Sequence, residues 1–299
     1  MTIAIDQNLL LAEPITVGGL AIYALLDAKA PERPEGDFRS LEEAFEARAF
    51  TVEEVDSGGS VPHLLVRNHG DQPVLLLAGE VVTGGKQDRV IIEDVVIQPG
   101  TEHRIKVNCV EHGRWSVGGG SFGYGGHAES VLLRKLAANS QSETWAEVAR
   151  LNALHGAKTS TGSYRASMEE QRVELTDRLE TELDKLEKVV GLVLSLDGEL
   201  QSAELYGHPT LFSKTRRSLL NSYVREADGM DILEGEHPPA PSPEEAASWV
   251  RKAREVPETG RAAAPSSVQT RHEGDRTDLF SCVSESGVAL RTRIQKKPD

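Results

Sequence analysis

The sequence predicts an α+β protein with an antiparallel, sandwich- or barrel-like β-rich core over about residues 1–115, followed by a helical layer and small hairpins. Two observations lead to this prediction. Short apolar runs separated by turn residues recur between residues 61 and 115, without the intervening helices that parallel βαβ units need. After a glycine-rich segment at residues 118–126, the apolar residues take helical spacing. The chain therefore changes from strands to helices near residue 120.

Three elements are expected before the densest group of strands. Residues 20–26 form an apolar run that is typical of a buried strand. Ser40 and Glu43 have the spacing of a capping box at a helix start, and residues 50–52 are expected to be extended. The strands that follow are predicted at residues 64–66, 74–77, 90–92, 95–97 and 105–110.

Helices and hairpins account for the rest of the chain. Helical spacing predicts one helical segment at residues 127–154, with a break around Asn139 and Ser140, and a long amphipathic helix at residues 165–190. The pair Asp197-Gly198 between apolar runs predicts a hairpin, because glycine tolerates the positive φ of a type I′ turn. Pro209 predicts the first turn of a helix that runs to about Ala227.

We expect two parts in the domain organisation. The first part, residues 1–227, comprises the β-rich region 1–115, the helical region 127–190, and a hairpin and helix at 191–227. The second part, residues 228–299, is expected to contain Pro-rich linkers at 228–243 and 257–267, a short helix at 244–254, and a hairpin of 278–284 with 288–294.

Composition narrows the possible partners. The chain has 33 Lys and Arg against 47 Asp and Glu, a net charge of −14, which argues against a general nucleic-acid-binding surface. No run approaches the roughly 18 apolar residues that span a bilayer, so we expect a cytoplasmic protein without membrane contact. Cys109 and Cys282 show no disulfide or zinc spacing. The sequence identifies no cofactor, no metal site and no oligomeric state.

The first candidate cluster lies at residues 79–89, after an apolar strand. Its glycines allow backbone amides to approach a ligand, while Lys86 and Arg89 can neutralise a phosphate or carboxylate. The order of residues is not that of a P-loop, and no helix follows. The segment is therefore either a ligand loop or a polar hairpin with solvated charges.

The second cluster lies at residues 107–115. Strand alternation places Cys109 inward, which favours a buried structural cysteine over a reactive thiolate. Glu111 and Arg114 either pair with each other or with Lys86 and Arg89. In the sharper hypothesis, Glu80, Glu111 and the two arginines line one pocket, where a carboxylate acts as a base and the arginines hold an anion.

The third cluster is the segment 116–126, which has two interpretations. It is an ordinary flexible connector, which we favour, or a lid over that pocket. In the second case Trp115, Phe122 and Tyr124 would stack on a flat ligand.

Three motifs resemble one known family. They are Leu-Leu-Leu-Ala-Gly-Glu at residues 75–80, Gly-Gly-Lys-Gln-Asp-Arg at 84–89, and Val-Asn-Cys-Val-Glu-His-Gly-Arg-Trp at 107–115. Together they resemble the ADP-ribosylglycohydrolase- and rhodanese-phosphatase-superfamily-associated protein domain, over residues 10–227. The resemblance implies an association with ADP-ribose chemistry but no defined reaction. It nominates the side chains Glu80, Lys86, Gln87, Arg89, Cys109, Glu111, Arg114 and Trp115. Asp88 departs from the asparagine of the family pattern.

Two functional hypotheses follow. In the first, the protein binds or processes an anionic, ADP-ribose- or NAD-related small molecule. Lys86, Gln87, Arg89, Arg114 and Trp115 would then hold the ligand, with Glu80 and Glu111 as acid–base residues and Cys109 as a candidate nucleophile. In the second, the protein is a non-catalytic adaptor or scaffold whose polar motif is structural. The sequence does not decide whether the protein is an enzyme.

Overall fold

The computed structural model describes residues 2–32, 36–56, 58, 62–115, 120–136, 140–169 and 172–297. The chain forms two compact units from discontinuous segments. The first unit comprises Met1–Gly36, Arg172–Ala263 and Ser267–Asp299, and the second comprises Asp37–Gln171 and Ala264–Ser266. The units therefore do not divide at residue 227 as the sequence predicted.

The elements follow in chain order. The strands are β1 (Thr2–Ala4), β2 (Leu9–Ala12), β3 (Ile15–Val17), β4 (Leu20–Asp27), β5 (Arg39–Ser40), β6 (Phe50–Glu54), β7 (His63–Asn68), β8 (Val74–Leu76), β9 (Glu80–Gly84), β10 (Arg89–Ile91), β11 (Val95–Ile97), β12 (Glu102–Cys109), β13 (Phe122–His127), β14 (Val189–Leu196), β15 (Glu199–Tyr206), β16 (Gly260–Ala264), β17 (Ser267–Glu273), β18 (Thr277–Ser284) and β19 (Ala289–Lys296). The helices are α1 (Leu41–Glu46), α2 (Ser130–Leu136), α3 (Gln141–Leu154), α4 (Arg165–Met168), α5 (Val173–Leu183), α6 (Pro209–Gly229) and α7 (Pro243–Arg254).

The first unit is built on a ten-stranded sheet with the order β1-β2-β4-β14-β15-β19-β18-β17-β16, in which β3 also pairs with β4. The predicted hairpin of β14 and β15 is confirmed, and its turn residues Asp197 and Gly198 have φ of 50° and 80°. Ala246 and Val250 of helix α7 lie in one buried apolar cluster with Val193 of this sheet. The predicted hairpin of residues 278–284 with 288–294 is confirmed as the antiparallel pair of β18 and β19, and because β19 also pairs with β15, these strands extend the sheet.

Two secondary-structure predictions in this unit are corrected. The single helix predicted at 165–190 is wrong: α4 ends at Met168, a separate helix α5 runs from Val173 to Leu183, and Val189 and Val190 open strand β14. Lys188, which directly precedes this strand, has φ of 57° and cannot be part of a helix. The predicted linker 257–267 contains β16, a strand rich in glycine and alanine that pairs with β17 and that local propensity does not reveal.

The second unit contains the predicted β-rich core. A six-stranded sheet with the order β13-β9-β10-β12-β7-β6 and a three-stranded sheet β11-β8-β5 share one apolar cluster with α1. Pairing is antiparallel except between β5 and β8. Strands β1–β4 belong to the other unit, so the core predicted at 1–115 is narrower than expected. The α+β class is confirmed.

Each face of the six-stranded sheet has its own apolar cluster. Val82 and Ile91 lie in the cluster shared with the three-stranded sheet, which we call the inner face. Val81 and Val90 pack instead against residues of α2 and α3. The capping box of Ser40 and Glu43 at the start of α1 is confirmed. Among the described residues, no helix is long and apolar enough to cross a bilayer.

Candidate functional site

The hairpin between β9 and β10 carries the first polar motif. Gly84 and Gly85 have φ of 119° and 52°, so the turn uses the left-handed region that glycine tolerates. A Cβ at Gly85 would overlap the ring of Phe122. The amide of Val110 donates to the carbonyl of Asp88 at 3.0 Å, which places this turn beside the end of β12. The two motifs therefore meet in one unit.

Arg114 fastens the two motifs together. Its Nε donates to Glu111 Oε2 at 2.9 Å, and its Nη2 lies 3.1 Å from Asp88 Oδ1. Nη1 and Nη2 donate to the carbonyls of Gly85 and Gly84 at 2.9 and 3.2 Å. The interpretation that Glu111 and Arg114 pair with each other is confirmed. Because protein acceptors engage the guanidinium on several sides, Arg114 is a clamp on the turn.

The interactions between Glu111 and Arg114 favour the charged form of both side chains. Burial opposes ionisation of Glu111, but hydrogen bonds from Arg114, Thr161 and the amide of Asp88 outweigh it and hold the pKa of Glu111 below its ordinary value. The hydrogen bond to Glu111 in turn raises the pKa of Arg114. The ion pair therefore persists throughout the neutral pH range.

The carboxylate of Asp88 also holds the turn by hydrogen bonds, and it borders an open cleft. Its Oδ1 accepts the amide of Gly84 at 2.8 Å, and its Oδ2 accepts the hydroxyl of Ser163 at 2.7 Å. The cleft has a volume of about 630 Å³. Its lining residues are Gly84, Asp88, Glu111, Arg114, Lys158, Thr159, Ser160, Ser163, Arg165, Ala166 and Glu169.

Arg89 lies on the inner face, away from this network. In the register of the sheet it stands opposite Val82 on β9 and Cys109 on β12. Its side chain is completely buried, and Nη1 donates to the carbonyl of Gln87 at 2.8 Å. Within the described part of the chain, Nε and Nη2 have no hydrogen-bond partner. The carboxylate of Glu54 lies 3.9 Å from Nη2, beyond hydrogen-bonding distance.

Lys86 and Arg89 form a cationic pair beneath an aromatic ring. Lys86 is buried, and no described residue forms an ion pair with its Nζ. Nζ of Lys86 and Cζ of Arg89 lie 5.5 and 5.9 Å from the ring centroid of Trp115. Trp115 itself is 45% exposed, so the ring covers the cationic pair and also contacts solvent.

Comparison with known proteins assigns the chain to a family. The family model described as ARPP-1, the ARG and Rhodanese-Phosphatase-superfamily-associated Protein domain, matches residues 8–294. The chain belongs to the ARPP-1 family. The match extends past residue 227, so the strands of the C-terminal part lie within the ARPP-1 domain. Neither the curated proteins nor the solved structures give a significant match.

The other nominated residues of this ARPP-1 domain lie outside the cleft. Glu80 is buried, and its Oε2 accepts the amide of Leu77 at 2.7 Å. Gln87 Nε2 donates to the carbonyl of His112 at 3.4 Å, a weak contact that links the two motifs. Of the predicted lid 116–126, residues 116–119 lie outside the described residues. Residues 122–127 form strand β13, so most of the described segment is a strand rather than a connector.

Two acidic residues of the candidate site were not predicted from the sequence. Asp88 was noted only as a departure from the family pattern, although it organises the turn. Glu54 was not nominated at all. A signal for it exists, since Phe50, Val52 and Glu54 alternate along β6 and the first two are buried in the inner cluster. An acidic residue at an inward strand position indicates a functional or buried polar site.

Cys109 is expected to be unreactive in the folded protein. Burial raises the pKa of its thiol, although the charge of Arg89 acts in the opposite direction. In a Cys282→Ala background at neutral pH, iodoacetamide should label native Cys109 at least about tenfold more slowly than the urea-unfolded chain. Equal rates would show that the thiol is open to reagents and would restore Cys109 as a candidate nucleophile.

Proposed function

We propose that this ARPP-1 protein binds an anionic small molecule through Lys86 and Arg89 beneath the ring of Trp115. The observation that supports the proposal is the buried guanidinium of Arg89, whose Nε and Nη2 have no hydrogen-bond partner among the described residues. Leaving buried donors of a charged group without hydrogen-bond partners costs about 1–3 kcal/mol or more, even with the carboxylate of Glu54 nearby. Buried polar groups of native proteins are almost always paired, so an unpaired one points to a ligand.

The chemistry of the cationic pair favours a phosphate or a similar oxyanion. A guanidinium presents donors in a fixed fork that matches phosphate oxygens, and an ammonium adds a compact charge. The ring of Trp115 offers a flat apolar surface for a base. ADP-ribose combines these features, and the family description associates the domain with a superfamily that we interpret as ADP-ribosylglycohydrolases. We therefore choose ADP-ribose as the first ligand to test.

The remaining nominated residues take other roles in the proposal. Arg114, Glu111 and Gln87 hold the turn that carries the cationic pair, as their contacts with the chain support. A catalytic role of Glu80 or Glu111 as a general acid or base stays a prediction. Each of these carboxylates accepts a backbone amide, Glu80 from Leu77 and Glu111 from Asp88.

Calorimetric titration with ADP-ribose, AMP and inorganic phosphate tests the proposal. Replacing Arg89 or Lys86 with methionine should weaken binding about 10- to 100-fold, because a hydrogen bond to a charged group contributes about 1.5–3 kcal/mol. Lys106→Met is the matched control, since Lys106 is exposed and pairs with Glu93 at the surface of the same unit. The Lys106→Met variant should bind each ligand with the same affinity as the wild type.

The titration also addresses the adaptor hypothesis. If the wild type binds none of the three ligands, the small-molecule proposal is contradicted and a scaffold role remains. If it binds but the Lys86 and Arg89 variants bind equally well, the ligand site lies elsewhere, and the 630 Å³ cleft beside Arg114 becomes the next candidate.

A further inference from the structure

Glu54 ends strand β6 with its carboxylate next to the cationic pair. In the register of the sheet, Glu54 stands opposite Leu64 and Val52 stands opposite Val66. Leu64, Val66 and Val52 are buried in the inner cluster, and direct partners in an antiparallel pair share a face. Glu54 therefore points inward, and its side chain is only 10% exposed.

The two carboxylate oxygens of Glu54 have different surroundings. Oε1 accepts the amide of Lys86 at 2.9 Å and lies 3.9 Å from Arg89 Nη2. Oε2 is buried and receives no hydrogen bond from any described residue. If Glu54 served only to neutralise Arg89, its oxygens would be expected at hydrogen-bonding distance from the guanidinium. Instead, the amide of Lys86 holds the carboxylate through Oε1, and Oε2 remains without a hydrogen bond from the described residues.

Unused acceptors and donors thus lie side by side. Oε2 of Glu54 needs a donor, while Nε and Nη2 of Arg89 need acceptors. The charges of both side chains act on the thiol of Cys109, which places the three groups in one environment. A simple anion would satisfy Arg89 but would leave Oε2 unpaired and add charge repulsion. A ligand with a hydroxyl next to its anionic group would satisfy both residues.

We infer that Glu54 is a specificity-determining residue that accepts a hydrogen bond from a ligand hydroxyl, so that the ligand is a phosphate ester of a sugar or another polyol. This inference rests on the proposed function, since it assumes that Lys86 and Arg89 hold the anionic group. A site built to accept a hydroxyl discriminates against an analogue that lacks one, because the buried acceptor is then left unpaired.

Two phosphate monoesters of similar size test the inference. Ribose 5-phosphate carries hydroxyls, and pentyl phosphate does not. By calorimetry, the wild type should bind ribose 5-phosphate at least about tenfold more tightly than pentyl phosphate. Glu54→Ala should abolish this preference, because it removes the acceptor for the ligand hydroxyl. Glu54→Gln should reduce it, because its oxygen can still accept the amide of Lys86 while its amide nitrogen can only donate to a hydroxyl that must then accept.

Two control variants separate this inference from the proposed function. Arg89→Met should weaken the binding of both esters. Glu53→Ala should leave the preference unchanged, because Glu53 is half-exposed and pairs with Arg67. Equal binding of the two esters by the wild type, or a preference that survives Glu54→Ala, would overturn the role of Glu54 and leave anion binding intact. If neither ester binds to the wild type, the proposed anion site fails for monoesters and the inference falls with it.

Discussion

Replacing Arg114 with methionine is expected to lower the free energy of unfolding of the second unit by about 3–5 kcal/mol. Arg114 holds the carboxylates of Glu111 and Asp88, whose side chains are only 4% and 6% exposed. Removing the guanidinium leaves two buried negative charges side by side, and it also frees the carbonyls of Gly84 and Gly85. Urea unfolding followed by circular dichroism measures the loss.

A conservative variant and a surface control sharpen this test. Arg114→Lys should recover only part of the stability, because an ammonium cannot reproduce the fork that reaches carboxylates and carbonyls together. Arg67→Met removes ion pairs with Glu53 and Glu102, but these are exposed, so it should cost at most about 1 kcal/mol. Equal losses for Arg114→Met and Arg67→Met would show that the clamp is not structural.

Replacing Gly85 with alanine is expected to cost about 2–5 kcal/mol of stability. The Cβ would overlap the ring of Phe122, and φ of 52° adds strain for any residue with a side chain. Overpacking typically costs about 1–3 kcal/mol, and the left-handed conformation adds about 1–2 kcal/mol. Thermal unfolding of the variant, monitored by circular dichroism, measures the effect.

Nearby positions provide the controls for Gly85. Gly123 lies in β13 with open space around its Cβ position, so Gly123→Ala should change stability much less. If the overlap with the ring is the cause, Gly85→Ala combined with Phe122→Ala should cost less than the sum of the two single substitutions. If the stability losses of the two single substitutions simply add in the double variant, the ring of Phe122 does not clash with the alanine, and backbone strain alone explains the loss at position 85.

Features encoded within a few neighbouring residues could be predicted from the sequence. The capping box of Ser40 and Glu43, the turn at Asp197-Gly198 and the helix that begins at Pro209 all follow from local backbone chemistry. Strand alternation correctly placed Cys109 inward, where it is fully buried. These signals are local, because a cap, a turn or an alternating face needs only residues that are close in sequence.

The candidate site was predicted only in part. The two polar motifs do meet, and Glu111 does pair with Arg114. The motifs do not form one pocket, however, because Arg89 starts β10 pointing to the inner face while Asp88 binds Ser163 beside the cleft. Successive residues of an extended chain point to opposite sides, so a contiguous motif is divided between two environments.

By itself, the sequence determined the α+β class, the turns and caps, and the charged motif that identifies the family. The tertiary structure decided which segments pair: the strands between residues 267 and 296 lie in one sheet with β15 and β4, and Glu54 lies next to Lys86 and Arg89. The physical reason is that alternation specifies which face of a strand is buried but not which distant strand lies beside it. That choice depends on packing across the whole unit, where hydrogen-bonding groups and apolar side chains must be satisfied together.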